Sequence, residues 1–393
     1  TTVIVSFTGV APTSAAVAIG NSTTFAPTTV QGNTVSLVVP AGPSSYTLAV
    51  VCPPLKVGGP LVGGTQFSEA VIEANLSDGV TYTSAPCIPG LVPTGTATGR
   101  FDVTQVPGAT SASVVGAFGT RESFGGTSVP FSAQLATGTN DVAIIAFDAN
   151  NNPLAVKFAR AQSVPGTING GAPIILTPAD HLTSAPVTIN GLPAGYGGNG
   201  GLFAIFTTAN GTQIDLPGEN PPAYQVIAAV DTAPGDSYAF SSVADLSAPA
   251  LTASVTAIEY APTAGAVTLN YPAPWTYAGP APAAFPTFNF TYAGFSGLPK
   301  VTYEAQIVWQ AGANAQTTDT INVFATPAYL GSLTAVTIPN LAAGPGFFAS
   351  APAGATVRWT GQIFGGSIQA YVYPSPVTGL RSIVQVSGNY VEP

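Results

Sequence analysis

The chain offers little to do chemistry with: one histidine, two cysteines, 17 Asp and Glu and eight Lys and Arg in 393 residues. The histidine, His181, lies in Thr177-Pro-Ala-Asp-His-Leu-Thr183 and reads as a surface or cap-like residue paired with Asp180. A Ser/His/Asp triad needs its serine on a G-x-S-x-G elbow, and no such motif occurs; Gly294-Phe-Ser-Gly297 is one residue short. An aspartic-peptidase dyad needs two carboxylates sharing one proton, each on a D-[TS]-G turn. Asp231-Thr-Ala and Asp319-Thr-Ile have the Asp-Thr without the glycine and fit ordinary strand ends. Glycosidase chemistry needs carboxyl groups about 5–10 Å apart, which spacing along this chain does not place. The expectation is a non-catalytic protein without a cofactor.

Binding is better served. Asp148, Asn150, Asn151 and Asn152 gather side-chain oxygens in one turn, the donors calcium prefers, although an Asx-rich hairpin adopts such a sequence without metal. Trp275, Tyr277, Tyr371 and Tyr373 are candidate platforms for a sugar ring, with amides nearby to bond hydroxyls; the alternative for Trp275 and Tyr277, in the Pro-rich strap, is that they simply pack over a module end. Trp309 and Trp359 alternate with polar residues and read as core. Cys52 and Cys87 have no CxxC partner, and His181 is far away in sequence, so a disulfide is expected rather than a metal site, with two inert buried thiols as the alternative. Closing that loop stabilises the fold by about 3–4 kcal/mol in the chain-entropy picture and implies an oxidising compartment. Sequons at Asn21, Asn75, Asn210 and Asn289 permit glycosylation.

Composition narrows the function classes. Charged residues are 6% of the chain, against about 25% in an ordinary soluble domain. Disorder needs low hydrophobicity and high charge, whereas 46% of these residues are hydrophobic. A net charge of -9 excludes an electrostatic nucleic-acid binder. Helix-forming Glu, Lys, Arg and Met are too scarce for a helical bundle. Pro, Gly, Asn and Thr interrupt every charge-free stretch, so no membrane-spanning helix is expected; a lipid anchor stays open. Met is absent even at position 1, which fits a processed chain whose signal peptide has been removed.

The elements that must carry these residues are short strands. Alternation at period 2 recurs, broken by Pro/Gly turns about every 8–12 residues. Val301, Tyr303, Ala305, Ile307 and Trp309 form one face, with Thr302, Glu304 and Gln306 opposite. Asp141–Phe147 and Pro153–Phe158 flank the Asx turn as a hairpin. Residues 67–76 are the best helical candidate, though they alternate as a strand would. In the aromatic C-terminal part, runs at 286–292, 301–309, 319–325, 333–338, 356–364, 367–373 and 381–391 give about seven strands.

A β-run closed by a Pro/Gly turn recurs at Val3–Pro12, Phe101–Gly108 and Val187–Gly195, a spacing close to one immunoglobulin-like sandwich. The expected architecture is therefore all-β: tandem Ig-like antiparallel sandwiches at 1–94, 95–183 and 184–271, and a larger aromatic-rich sandwich at 272–393. The Pro-rich strap 272–286 marks the last boundary.

Residues 39–52, Val-Pro-Ala-Gly-Pro-Ser-Ser-Tyr-Thr-Leu-Ala-Val-Val-Cys, resemble the hairpin of carboxypeptidase-regulatory-like (transthyretin-like) β-sandwich modules. Ala146-Phe-Asp-Ala-Asn-Asn-Asn-Pro-Leu154 is similar to a hairpin of bacterial Ig-like surface repeats. The resemblance implies tandem sandwiches on a secreted or envelope protein serving as stalk, spacer, adhesin or lattice element, and it transfers no catalytic residue. Together these readings predict an extracellular or cell-envelope structural or adhesive protein. It would associate with itself or other envelope proteins through neutral sheet faces and edges, as in a surface layer or fibre. Polysaccharide binding through the C-terminal aromatics is the alternative, and a secreted hydrolase a remote one.

Overall fold

The computed structural model describes residues 1–393 apart from 8–9, 21, 58–63, 85–86, 88–93, 198–200, 220–221, 248–250, 296, 312–316, 343, 345 and 373–377. Among the described residues the regular elements are β-strands, short 3-10 turns and one α-helical turn, Pro327–Leu330 (α1). The N-terminal part carries β1 (Thr2–Phe7), β2 (Ser14–Ile19), β3 (Ala26–Thr28), β4 (Thr34–Val38), β5 (Ser45–Val51), β6 (Leu55–Val57), β7 (Gly64–Asn75) and β8 (Thr81–Ser84). The second part carries β9 (Thr94–Asp102), β10 (Ser111–Val115), β11 (Arg121–Gly125), β12 (Ser128–Ala136), β13 (Gly138–Phe147), β14 (Pro153–Val164), β15 (Gly166–Thr167) and β16 (Ile174–Ile175). Then come β17 (Thr183–Asn190), β18 (Leu202–Thr207), β19 (Gln213–Glu219), β20 (Ala223–Val226), β21 (Ser237–Ser247), β22 (Leu251–Ala261) and β23 (Val267–Asn270). The C-terminal part adds β24 (Thr287–Asn289), β25 (Lys300–Ala311), β26 (Thr317–Ala325), β27 (Ala335–Thr337), β28 (Thr356–Gly366) and β29 (Gly379–Val391).

The chain is all-β, and its dominant feature is one sheet assembled from distant parts of the sequence. The strand order is β23-β17-β20-β19-β18-β21-β22-β29-β28-β25-β26-β7-β5-β2-β3. The third and fourth parts join where β22 pairs antiparallel with β29, and the fourth joins the first where β26 runs parallel to β7 from Thr317↔Thr65 to Ala325↔Glu73. Among the described strands, only those of 95–183 build both their sheets without strands from elsewhere, β11-β10-β13-β14 and β12-β9-β15. At the far end the small sheet β4-β1-β8 packs over β2, β5 and β7 around Val5, Leu37, Tyr46, Leu48 and Ile72.

Strand burial explains the composition. In β13, Val142, Ile144 and Ala146 enter the core of the second part, while Ala143 and Ile145 point the other way into the main-sheet core. Covered on both faces, the strand reads as a continuous apolar run rather than an alternation. The helical candidate 67–76 falls in β7 for the same reason: Ala70, Ile72 and Ala74 fill the N-terminal core, and Glu69, Val71 and Glu73 are buried on the opposite face. The expected strand at 367–373 does not form over its described residues. The Ala370 N–H binds Thr302 Oγ1 and the Tyr371 ring drops into the N-terminal core, leaving a single bridge, Ser84↔Val372.

The largest core covers one face of the main sheet. Sheet β11-β10-β13-β14 lies over its β18 side, where the Phe158 and Phe206 ring centroids are 5.6 Å apart. The strap at 272–295 and the segment 326–355 lie over β25, β26 and β28. The disulfide Cys52–Cys87 closes the N-terminal part, with Cα atoms 5.2 Å apart.

Candidate functional site

The aromatic platform expected at the strap is not on the surface. Trp275 is 4% exposed, with Tyr277 stacked on it at 4.7 Å and Phe290 at 5.3 Å. Gly361 makes the room: a Cβ there would come within 3.0 Å of the indole. An apolar ring lowers its free energy most by filling that depression in the sheet, so the strap buries its tryptophan instead of presenting it. Tyr277, half-buried, meets Trp359 edge-on, and Tyr371 is buried against Tyr82. Trp309 and Trp359 are in the core, 2% and 3% exposed. Tyr373 lies outside the described residues.

At the Asx turn, Asp148 Oδ1 accepts the backbone N–H groups of Asn150 and Asn152, both at 2.8 Å, and Oδ2 accepts Asn152 Nδ2 at 2.9 Å. These bonds hold the carboxyl below its usual range, the Asn152 side chain contributing most. Asn151 takes the left-handed conformation at φ 63°. The two Asp148 oxygens proposed for calcium thus close the hairpin.

The carboxylates singled out for dyad chemistry are not brought together. Asp231 sits in the 3-10 turn Ala229–Asp231 against Asp180; burial, then the Asp180 charge, pushes it up to about 7. Asp319, on β26, neighbours Glu69 of β7, which burial raises to about 8 with Asp319 adding to the rise. Asp180 is paired with Lys157 at 3.1 Å rather than with His181, and it also accepts from the Thr177 N–H and hydroxyl. His181 instead extends the connector alongside β14, where Leu182 N–H binds Leu154 O, and its Nε2 is buried without a partner.

The residues that do converge are at the junction of the second and third parts. Arg160 on β14 binds Asp236 at 2.8 and 3.2 Å, Asp141 at 3.3 Å and the Asp231 carbonyl, and its guanidinium lies 4.2 Å above the Phe158 ring. The three ion pairs among the described residues all lie here. Sequence reading missed this cluster; Lys157 and Arg160 close together on one strand of a cation-poor chain were the available signal. Nearby, a cleft of about 380 Å³ opens between β17, the 229–232 turn and residues 263–266, lined by small aliphatic and hydroxyl side chains such as Thr183, Ala185, Ile227, Thr232 and Ala264.

The broadest feature is the main-sheet face turned away from the large core. Across β22, β29, β28, β25 and β26 it carries two adjacent rows of polar side chains. One row runs Ser254, Gln385, Gln362, Glu304; the next runs Thr252, Ser387, Thr360, Gln306, Asn322. Gln306 Nε2 donates to Asn322 Oδ1 at 2.7 Å, and Gln362 Nε2 donates to Gln385 Oε1. Burial pushes Glu304 up to about 7.

No family model matches the chain, and no curated protein matches it.

Proposed function

We propose that this protein is a non-catalytic structural or adhesive component outside the cytoplasm, in the cell envelope or secreted, that assembles through neutral sheet surfaces. The observation that carries the reading is the main sheet itself. It ties the N-terminal, third and C-terminal parts into one hydrogen-bonded slab, and a slab resists bending far better than modules strung on linkers. The disulfide supports an oxidising setting. The amide- and hydroxyl-bearing face supports association without desolvating ions, which is costly.

Faces serve this role better than edges. The main sheet ends in the three-residue β3, which contains Pro27, and in the four-residue β23, which runs into Pro272. Short edge strands and prolines block strand addition. On β12, outward backbone N–H groups are already taken: Gln134 N–H by Glu122 and Ala136 N–H by Thr120.

Light scattering on native material tests the reading. Assemblies held by neutral faces should persist in ~1 M NaCl, where charged contacts are screened; a monomer at all concentrations, or dissociation by moderate salt, would overturn it.

A further inference from the structure

We propose that the face of β18, β21, β22, β29 and β28, continued on β25 from Glu304 to Val308 beyond Thr302, which Ala370 covers, is the docking surface for a second copy of this chain, packed face to face about a two-fold axis. The proposal rests on the assembly reading above and gives it a surface and a stoichiometry.

The first argument is composition by register. The water-facing side of an antiparallel sheet normally reads polar. Here, beside the amide rows, a band of apolar side chains crosses the same face: Phe203, Val243, Ile258, Ile383 and Phe364. Phe203 is 38% exposed and the other four are half-buried. Contiguous apolar surface of this kind marks an interaction site.

Size is the second argument. Six strands about 4.8 Å apart, running from the six residues of β18 to the 13 of β29 and averaging about ten at ~3.4 Å rise, present at most roughly 800 Å², which is what each partner of a stable complex contributes.

Charge is the third. The chain carries -9 overall, so two copies repel at most orientations. On this face Asp245 and Glu304 stand against Lys300, Arg358 and Arg381, which share its side of the sheet, so it carries none of the chain's negative excess. A locally balanced patch is where like molecules meet at least electrostatic cost. Amides carry both donor and acceptor, so the Gln306–Asn322 and Gln362–Gln385 rows are complementary to themselves. A patch that meets itself closes as a two-fold dimer, with the sheets aligned within about 30° as in a sandwich.

The test is sedimentation of the full chain beside Ile383→Lys and Thr256→Lys, with circular dichroism and melting as folding controls. Hydroxyl-radical footprinting of the wild type is run at concentrations above and below dissociation. The expected result is a wild-type dimer, at least a tenfold weaker dimer in each folded variant, and lower oxidation of Phe203 and Ile383 in the dimer than in the diluted protein. If the wild type assembles but both variants assemble equally well, or Phe203 and Ile383 are oxidised equally in both states, this face is wrong while the assembly reading stands. A wild-type monomer overturns both. The footprint decides even if a variant fails to fold.

Discussion

Arg160 and Asp236 meet as a two-pronged pair, 2.8 and 3.2 Å, across the junction between the second and third parts. Asp236 is 1% exposed and also accepts the backbone N–H groups of Ala209 and Ala233. Removing one partner of such a pair leaves a buried charge without compensation, at a cost of about 3 kcal/mol. Arg160→Ala should therefore lower the unfolding free energy by about that amount. Arg160→Ala with Asp236→Ala should cost less than the sum of the two single changes, and chemical denaturation of all four proteins measures the coupling. Additive losses would show that the pair does not tie the junction.

Acidity should strengthen this protein between pH 8 and about pH 5. Burial raises Glu69 and Glu73 to about 8, and Glu304 and Asp231 to about 7. A carboxyl that holds its proton more tightly when folded stabilises the fold below its unfolded value near 4 and loses that contribution as pH rises through the folded value. Asp141 and Asp180 act in the opposite sense. Burial opposes their ionisation but is outweighed, for Asp141 by the Ala161 N–H, Asn210, Thr208 and Arg160, and for Asp180 by the Thr177 N–H, Lys157 and the Thr177 hydroxyl; their contribution fades as pH falls below about 4. Melting temperature should peak near pH 4–5, fall to about pH 8 and level off above it. Glu69→Gln should flatten the alkaline limb, and a maximum at pH 8 would refute the buried-acid account.

Local chemistry made the strands legible and left their partners hidden. Alternation from Val301 to Trp309 places β25 and its core face correctly because side-chain direction in a strand depends only on residue parity. The parallel pairing of β26 with β7 has no such local signature: Thr317 and Thr65 are neighbours only because the chain returns across the whole molecule. Trp275 shows the same limit at one site. Its Pro-rich surroundings fit both an exposed platform and packing over a module end, while its burial depends on Gly361, on a distant strand, leaving space beneath the ring. Glycine at a core-facing position of an apolar alternation is the one sign that a remote ring sits there.

Gly279 tests how tightly the strap is seated. Its φ is +97°, and a Cβ would stand 2.6 Å from Cζ2 of Trp359, which is buried among Tyr277, Phe288 and the sheet. Gly279→Ala should combine backbone strain with overpacking, together about 2–4 kcal/mol. Its tryptophan emission should shift to the red as the strap lifts. Gly265→Ala, where a Cβ meets nothing within 4 Å, is the matched control and should leave melting and emission unchanged. Equal behaviour of the two variants would mean that the strap is loosely held.

The cystine should contribute through the unfolded chain and resist reduction while the fold is intact. Cys52 and Cys87 are 2% and 1% exposed and 35 residues apart. Opening a loop of that length gives the unfolded state back about 3–4 kcal/mol of conformational freedom. Replacing both with serine should lower the denaturation midpoint accordingly without changing the strand content seen by circular dichroism. In the native wild type, a thiol label should find no cysteine after exposure to mild reductant and both once denaturant is added. Material taken from its natural setting should behave as the oxidised form does. If both cysteines are found reduced there, the bond is not part of the working protein, and the argument for an oxidising compartment falls with it.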